Sequence, residues 1–240
     1  MVSFDTVLFD LDGTLLPVDI EKFLEKYFNI LSRSFVDLAE ADEFENILYK
    51  ATEQMIKNDG QKTNKDVFVE QFFSLINVKD EDRIMDRFNK FYQEKYSQLQ
   101  DGIEKNEKVV KLVELFKKNN YQMVVATNPL FPIDAIEKRI KWAGLNVNDF
   151  KYITSYENMH YAKPNLNYFK EVLEKVSKSA EDCIMVGNDV QEDMVAGKLG
   201  LKTYLVEDFK RDRNTGNIRP DWSGTMAELH NYFKKELQGN

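Results

Sequence analysis

Asp10 and Asp12 stand two residues apart in TVLFDLDGTLL, directly behind an apolar run and ahead of Gly13 and Thr14. Two carboxylates held that close repel each other, so the pair needs a cation nearby or a division of labour. One ionised carboxylate can attack an electrophilic centre while the other carries protons for a leaving group or for water. Three later stretches bring matching chemistry in order: VVATNP with Thr127 and Asn128, HYAKPN with Lys163, and VGNDVQEDM with Asn188, Asp189 and Asp193. Hydroxyl, ammonium and carboxylate are the groups that handle phosphoryl oxygens and a hard cation such as Mg²⁺. Taken singly, each has a plain alternative, since strand-ending Asp and Thr residues are common turn formers and Lys163 is by default a solvated side chain. Four such stretches in sequence favour a shared site.

The elements needed to bring these residues together are legible. TVLFD, YQMVVAT, KYITS, DCIMVG and LKTYLVE are short β-type runs. Between the later ones lie PIDAIEKRIKWAGL, NLNYFKEVLEKV and QEDMVAGKLG, whose apolar residues recur at helical spacing. Gly144 and Gly200 stand where a helix would end. Strands alternating with helices predict βαβ units on a parallel sheet, and residues following successive strands of such a sheet converge on one crevice. After the first strand the pattern changes. IEKFLEKYFNILSRSF, ADEFENILYKATEQMI, KDVFVEQFFSLI and EDRIMDRFNKFYQEKY are amphipathic helices, with breaks expected near Asp59-Gly60, Asn64 and Asn77-Val78. A doubly wound, Rossmann-like α/β core over residues 1–16 and 100–240, with an inserted helical domain over 17–99, is the expected organisation. Helix EKNEKVVKLVELFKKNN returns the chain to the core, KRDRNTGNIRPDWSG reads as a polar turn region, and TMAELHNYFKKEL reads as a last helix capped by Ser223 or Thr225.

A net charge of -8 disfavours a general nucleic-acid binder, because a phosphate backbone requires a basic surface. It leaves room for a small phosphorylated metabolite. Cys183 is the only cysteine and sits in the apolar run CIMVG, which suits a buried structural thiol and a reducing compartment. Asp5 interrupts the first residues and no apolar run reaches the ~20 residues of a membrane span, so neither a signal peptide nor a membrane partner is expected and the cytoplasm is the expected location.

The four stretches, in this order and spacing, resemble the motifs of the haloacid dehalogenase superfamily, specifically its phosphohydrolase branch. The helical stretch after the first motif is similar to that family's helical cap. The resemblance implies a Mg²⁺-dependent phosphatase acting on a small phosphomonoester. Asp10 would be the nucleophile forming an aspartyl-phosphate, and Asp12 the general acid and then base. Thr127, the Asn128 amide and Lys163 would hold the phosphoryl oxygens, with Asp10, Asp12 and Asp189 as candidate metal ligands. The last motif departs from the common Gly-Asp form, having Gly187-Asn188-Asp189. Either Asp189 is the ligand with Asp193 behind it near Lys163, or Asn188 takes the ligand position and Asp189 lies outside; a charged oxygen favours Asp189. Asp12 disfavours haloacid dehalogenation, which needs no proton donor. A phosphomutase of the same superfamily and a non-catalytic scaffold are the alternatives. His160 is expected to be structural or to touch substrate, Trp142 and Trp222 to pack, and Phe23, Tyr27 or Phe131 to approach the substrate.

Overall fold

The computed structural model describes residues 4–238. Six strands form one parallel sheet: β1 (Thr6–Phe9), β2 (Gln122–Val125), β3 (Tyr152–Ile153), β4 (Cys183–Gly187), β5 (Lys202–Val206) and β6 (Trp222–Gly224), ordered β3-β2-β1-β4-β5-β6. The chain runs outward from β1 to β3, then crosses to β4 on the other side of β1. That reversal opens a crevice at the carboxyl ends of β1 and β4. Register places Phe9 opposite both Val125 and Val186, so the residues that follow these three strands stand level with one another.

Side chains alternate across the sheet as the pleat requires. Val7, Phe9, Met123, Val125, Ile184 and Val186 face one layer, which holds α5 (Glu107–Lys118), α6 (Ile133–Trp142) and α8 (Met226–Gln238). Leu8, Val124, Cys183 and Met185 face the other, packing on Tyr168, Phe169 and Val172 of α7 (Leu166–Val176). With both faces covered, the strands are apolar throughout. Cys183 is fully buried, and burial pushes its thiol up to about 12, as befits a packing residue.

Between β1 and α5 lie four helices: α1 (Ile20–Ser32), α2 (Ala41–Ile56), α3 (Asn64–Leu75) and α4 (Glu81–Lys90). Asp19, Thr63 and Asp80 cap α1, α3 and α4 by accepting first-turn amide N–H bonds. Thr63 thereby makes Asn64 the start of α3, at the break the sequence suggested between two helices. Past α4 the helical path loosens into a π-turn at Phe91–Lys95 and a 3₁₀ turn at Tyr96–Gln100. The insert has an aromatic centre: Phe35 lies 4.9 Å from Phe44 and 4.5 Å from Phe88, ring centre to ring centre.

Three local expectations change. QEDMVAGKLG supplies a 3₁₀ helix at Met194–Leu199 in place of an α-helix. The polar region after β5 contains the edge strand β6, and Trp222 on it is half-exposed instead of packed. Trp142 does pack, stacked 5.5 Å from Tyr96. Gly144 and Gly200 close their helices with φ of 78° and 98°, and Thr225 caps α8 in a reciprocal pair with Glu228.

Candidate active site

Asp10 follows β1, Thr127 follows β2 by two residues, and Asn188 and Asp189 follow β4. They border one cavity of about 280 Å³ between the sheet's carboxyl ends and the helical insert, which Asp12 and Asp193 also line. The hinge in the backbone is Gly13, at φ +83°. A Cβ there would stand 2.4 Å from the Asn188 side-chain nitrogen, so only glycine lets the first loop lie against the last motif.

Lys163 organises the floor. Its ammonium is fully buried, donating to Asp10 Oδ1 at 2.9 Å and to Asp193 Oδ1 at 2.6 Å. Burial alone would lower its pKa, but the two carboxylates outweigh it and hold the lysine charged, well above its ordinary value. Asp193 also accepts the Asp189 amide at 3.0 Å, tying the last motif to the same lysine. Asn128 is a brace: its carbonyl oxygen accepts the Lys163 amide at 3.2 Å and its NH₂ donates to Glu192 at 3.0 Å. Thr127 is buried at the cavity, and its own carbonyl accepts from Thr154 at 2.7 Å and from Tyr168 at 2.9 Å.

Asp12, on the same cavity, has a different cationic partner. It accepts from the guanidinium of Arg139 on α6, a side chain only 1% exposed. Arg139 lies over Phe131, its guanidinium carbon 4.5 Å from the ring centre. Burial raises the Asp12 carboxyl above its ordinary range despite the opposing pull of Arg139, and the Asp10 charge adds to the rise. That is the environment of an acid that retains its proton above the ordinary carboxylate range. Arg139 was not among the residues singled out from sequence. Its signal was there: with Ala135, Ile136 and Ile140 it occupies the buried stripe of α6, a core register position for a cation.

The last motif divides its donors. Asn188 is engaged on both sides, its oxygen accepting from Thr14 at 3.1 Å and its NH₂ donating to the Phe209 carbonyl at 2.7 Å. Asp189 Oδ1 accepts the amides of Gln191 and Glu192 and the guanidinium of Arg213, while its Oδ2 is buried with no hydrogen-bond partner. Arg211 stands 3.6 Å from that oxygen. Both arginines come from the polar stretch after β5, where nothing in the periodicity marked them. Among the described residues no three His, Cys, Asp or Glu side chains gather as a metal-holding group. The donors on hand are nevertheless hard oxygens, Asp189 Oδ2 among them buried without a partner, which suits Mg²⁺, while Asp12 Oδ1 is likewise unpartnered and open to a proton.

His160 is held by Glu171, with Nδ1 2.7 Å from one carboxylate oxygen and its amide donating to the other. Neither residue borders the cavity, whereas Tyr27 and Phe131 do and Phe23 lies in the core behind them.

The profile of the haloacid dehalogenase-like hydrolases matches residues 4–200. The chain belongs to this family. Curated relatives include the pyrophosphatase PpaX of Bacillus mycoides (strain KBAB4), 24% identical over 206 residues that cover 85% of this chain and 84% of that protein. PpaX of Bacillus velezensis is 23% identical over 203 residues, 82% of this chain and 80% of that one. Among solved structures, a predicted phosphoglycolate phosphatase from Haemophilus somnus 129PT superposes with TM-score 0.60 at 18% identity, covering 97% and 99% of the two chains. The magnesium-bound HAD-hydrolase YfnB of Bacillus subtilis gives 0.57 at 21% identity, over 96% and 98%. At these identities the structural likeness speaks for the fold: a Rossmann-like sheet with flanking helices, as expected. The chain is a hydrolytic enzyme of this family, with pyrophosphatases among its curated relatives. No helix among the described residues is long and apolar enough to cross a membrane.

Proposed function

We propose that the protein is a Mg²⁺-dependent phosphatase that hydrolyses a small phosphomonoester through an aspartyl-phosphate on Asp10. The observation that carries this reading is the buried Lys163, which fixes Asp10 at 2.9 Å beside the cavity. A carboxylate oriented by a fixed cation is placed for nucleophilic attack.

In the first step an Asp10 carboxylate oxygen attacks phosphorus as the bond from phosphorus to the ester oxygen breaks. Asp12 gives its proton to that departing oxygen. In the second step Asp12, now a carboxylate, takes a proton from water, whose oxygen attacks phosphorus and releases Asp10 and inorganic phosphate. Lys163, the Thr127 hydroxyl and the Asn128 amide are the donors for the phosphoryl oxygens. Asp10 and Asp189 are the carboxylates that would hold Mg²⁺, which would supply positive charge to offset that of the phosphoryl group. Asp12 is left for protons because Arg139 already occupies one of its oxygens. Residues 17–99 act as the cap that excludes bulk water and selects the alcohol.

Release of phosphate from p-nitrophenyl phosphate with and without Mg²⁺, in the wild type and in Asp10→Asn, tests the proposal. Wild-type turnover that needs Mg²⁺ and disappears in Asp10→Asn is the expected outcome. Hydrolysis that survives Asp10→Asn removes the nucleophile assignment.

A further inference from the structure

The cavity above Asp10 has walls of a definite chemistry, about half of them supplied by the insert and joined by Leu130, Phe131 and Tyr156 of the core. From α1, Ile20, Leu24, Tyr27 and Phe28 face it, at the spacing of one helical stripe. From α2 come Leu48, Tyr49, Thr52 and Ile56, again one face of a helix. Met85 and Phe88 of α4 complete the enclosure. Phe28 and Tyr49 stack at 5.2 Å with 29° between their planes, which makes a flat aromatic wall. Tyr49 and Ile56 are 59% and 42% exposed, so folding does not account for apolar groups at these two positions.

The polar capacity of these walls is small: five hydroxyls, on Tyr27, Tyr49, Thr52, Tyr92 and Tyr156, among aliphatic and aromatic groups. The hydroxyls of Tyr27 and Tyr92 bond each other at 2.8 Å. Among the described residues the insert contributes no lysine or arginine to the lining. The lining cations are Arg211 and Arg213, from the stretch after β5. Arg213 bonds Asp189 at 2.8 Å and Glu192 at 2.9 Å, and Arg211 lies between Asp189 and Glu21 at 3.6 and 3.7 Å. A second phosphate or a carboxylate on the substrate would have to compete with these acids. Sugar hydroxyls would lose water against Leu24, Leu48 and Ile56, at about tenfold or more in affinity for each one left unpaired.

We infer that the alcohol portion of the substrate is an apolar ring, an aryl or arylmethyl group seated against Phe28 and Tyr49, rather than a sugar, a hydroxy acid or a second phosphate. This rests on the phosphatase reading above and names the substrate class of that same site. A cavity of about 280 Å³ suits one ring and its phosphate and lies at the small end of ligand pockets. The pyrophosphatase relatives share the family, but the lining of this cavity is not that of a site for a tetra-anion.

The test compares benzyl phosphate, glycerol 1-phosphate and pyrophosphate with Mg²⁺. The first two release primary alcohols, so neither has the built-in advantage of a phenolate leaving group. The expected kcat/KM for benzyl phosphate is at least tenfold above that for glycerol 1-phosphate, with pyrophosphate lowest. Leu24→Gln lowers the benzyl-to-glycerol ratio at least fivefold, a readout in which the concentration of folded enzyme cancels. In parallel, calorimetry on the wild type measures binding of benzylphosphonate and 3-hydroxypropylphosphonate, neither of which is hydrolysed. Glycerol 1-phosphate or pyrophosphate turned over as well as benzyl phosphate overturns the inference and leaves the phosphatase reading standing. No phosphomonoester turned over, with benzylphosphonate still bound at least tenfold tighter, overturns the phosphatase reading and upholds the apolar-ring site. Equal binding of the two phosphonates overturns the inference whatever the turnover.

Discussion

Replacing Arg139 with Met probes the pair that sets Asp12 apart from Asp10. The guanidinium is 1% exposed and the Asp12 side chain 11%, so water cannot replace the lost partner fully. Removing one member of a buried ion pair costs about 3–5 kcal/mol because the other charge is left uncompensated. Met retains part of the packing, while the contact with Phe131 at 4.5 Å is worth about 0.5–2 kcal/mol more. The loss has a pH signature. Burial already holds the Asp12 pKa above its unfolded value, and without Arg139 it rises further. A carboxyl raised on folding contributes stability that is fully present below its unfolded pKa and lost as pH rises through its folded pKa. Arg139→Met is therefore penalised more at pH 7 than at pH 5, where Asp12 escapes the penalty by taking a proton. At about 1.4 kcal/mol per pH unit, the difference across this range is at most about 2.7 kcal/mol. Urea unfolding of wild type, Arg139→Met, Asp12→Asn and the double variant at both pH values measures it. The double variant is expected to be more stable at pH 7 than the sum of the single losses predicts, by about 1–3 kcal/mol. A loss below about 1 kcal/mol at pH 7, with no dependence on pH and no coupling, would refute the reasoning.

Lys163→Met leaves Asp10 and Asp193 facing each other without their shared cation, so phosphate release is expected to fall by on the order of 10²-fold or more in steady-state assays. Asp189→Ala is expected to weaken Mg²⁺ binding in calorimetric titrations more than Asn188→Ala does, because both sides of the Asn188 amide are already engaged. The reverse order would move the ligand to Asn188. Gly13→Ala brings a Cβ to 2.4 Å from Asn188 at a positive φ and is expected to lower the thermal midpoint, through a loss of about 1–3 kcal/mol read by calorimetry.

How much was legible beforehand depended on whether the signal was local. The doubly wound core could be read because each strand is a short apolar run and each helix repeats its apolar residues every three or four positions. β6 could not, since its three residues in DWSG carry turn-type composition and become a strand only by pairing with β5. Asp10, Thr127, Lys163 and Asp189 were visible because each follows a strand or lies in a stretch of distinctive composition. Arg139 was hidden among the charges of EKRIKW, where only a count of helical phase separates a core arginine from its solvated neighbours. Arg211 and Arg213 had no phase to count, and only the pairing of Asp189 with Arg211 across the loop brings them to the site.

The amino-acid sequence by itself determined the order of the elements and the types of group delivered to the crevice, because strand and helix periods and strand-ending polar residues are properties of neighbours along the chain. Only the tertiary structure decided how those groups are shared out. Lys163 lies between Asp10 and Asp193, which are 153 and 30 residues away from it, and Asp12 meets Arg139 at a separation of 127. Such pairings depend on register, burial and the convergence of distant strands, so which carboxylate shares the buried lysine and which is pressed toward its protonated form is settled by the folded surroundings.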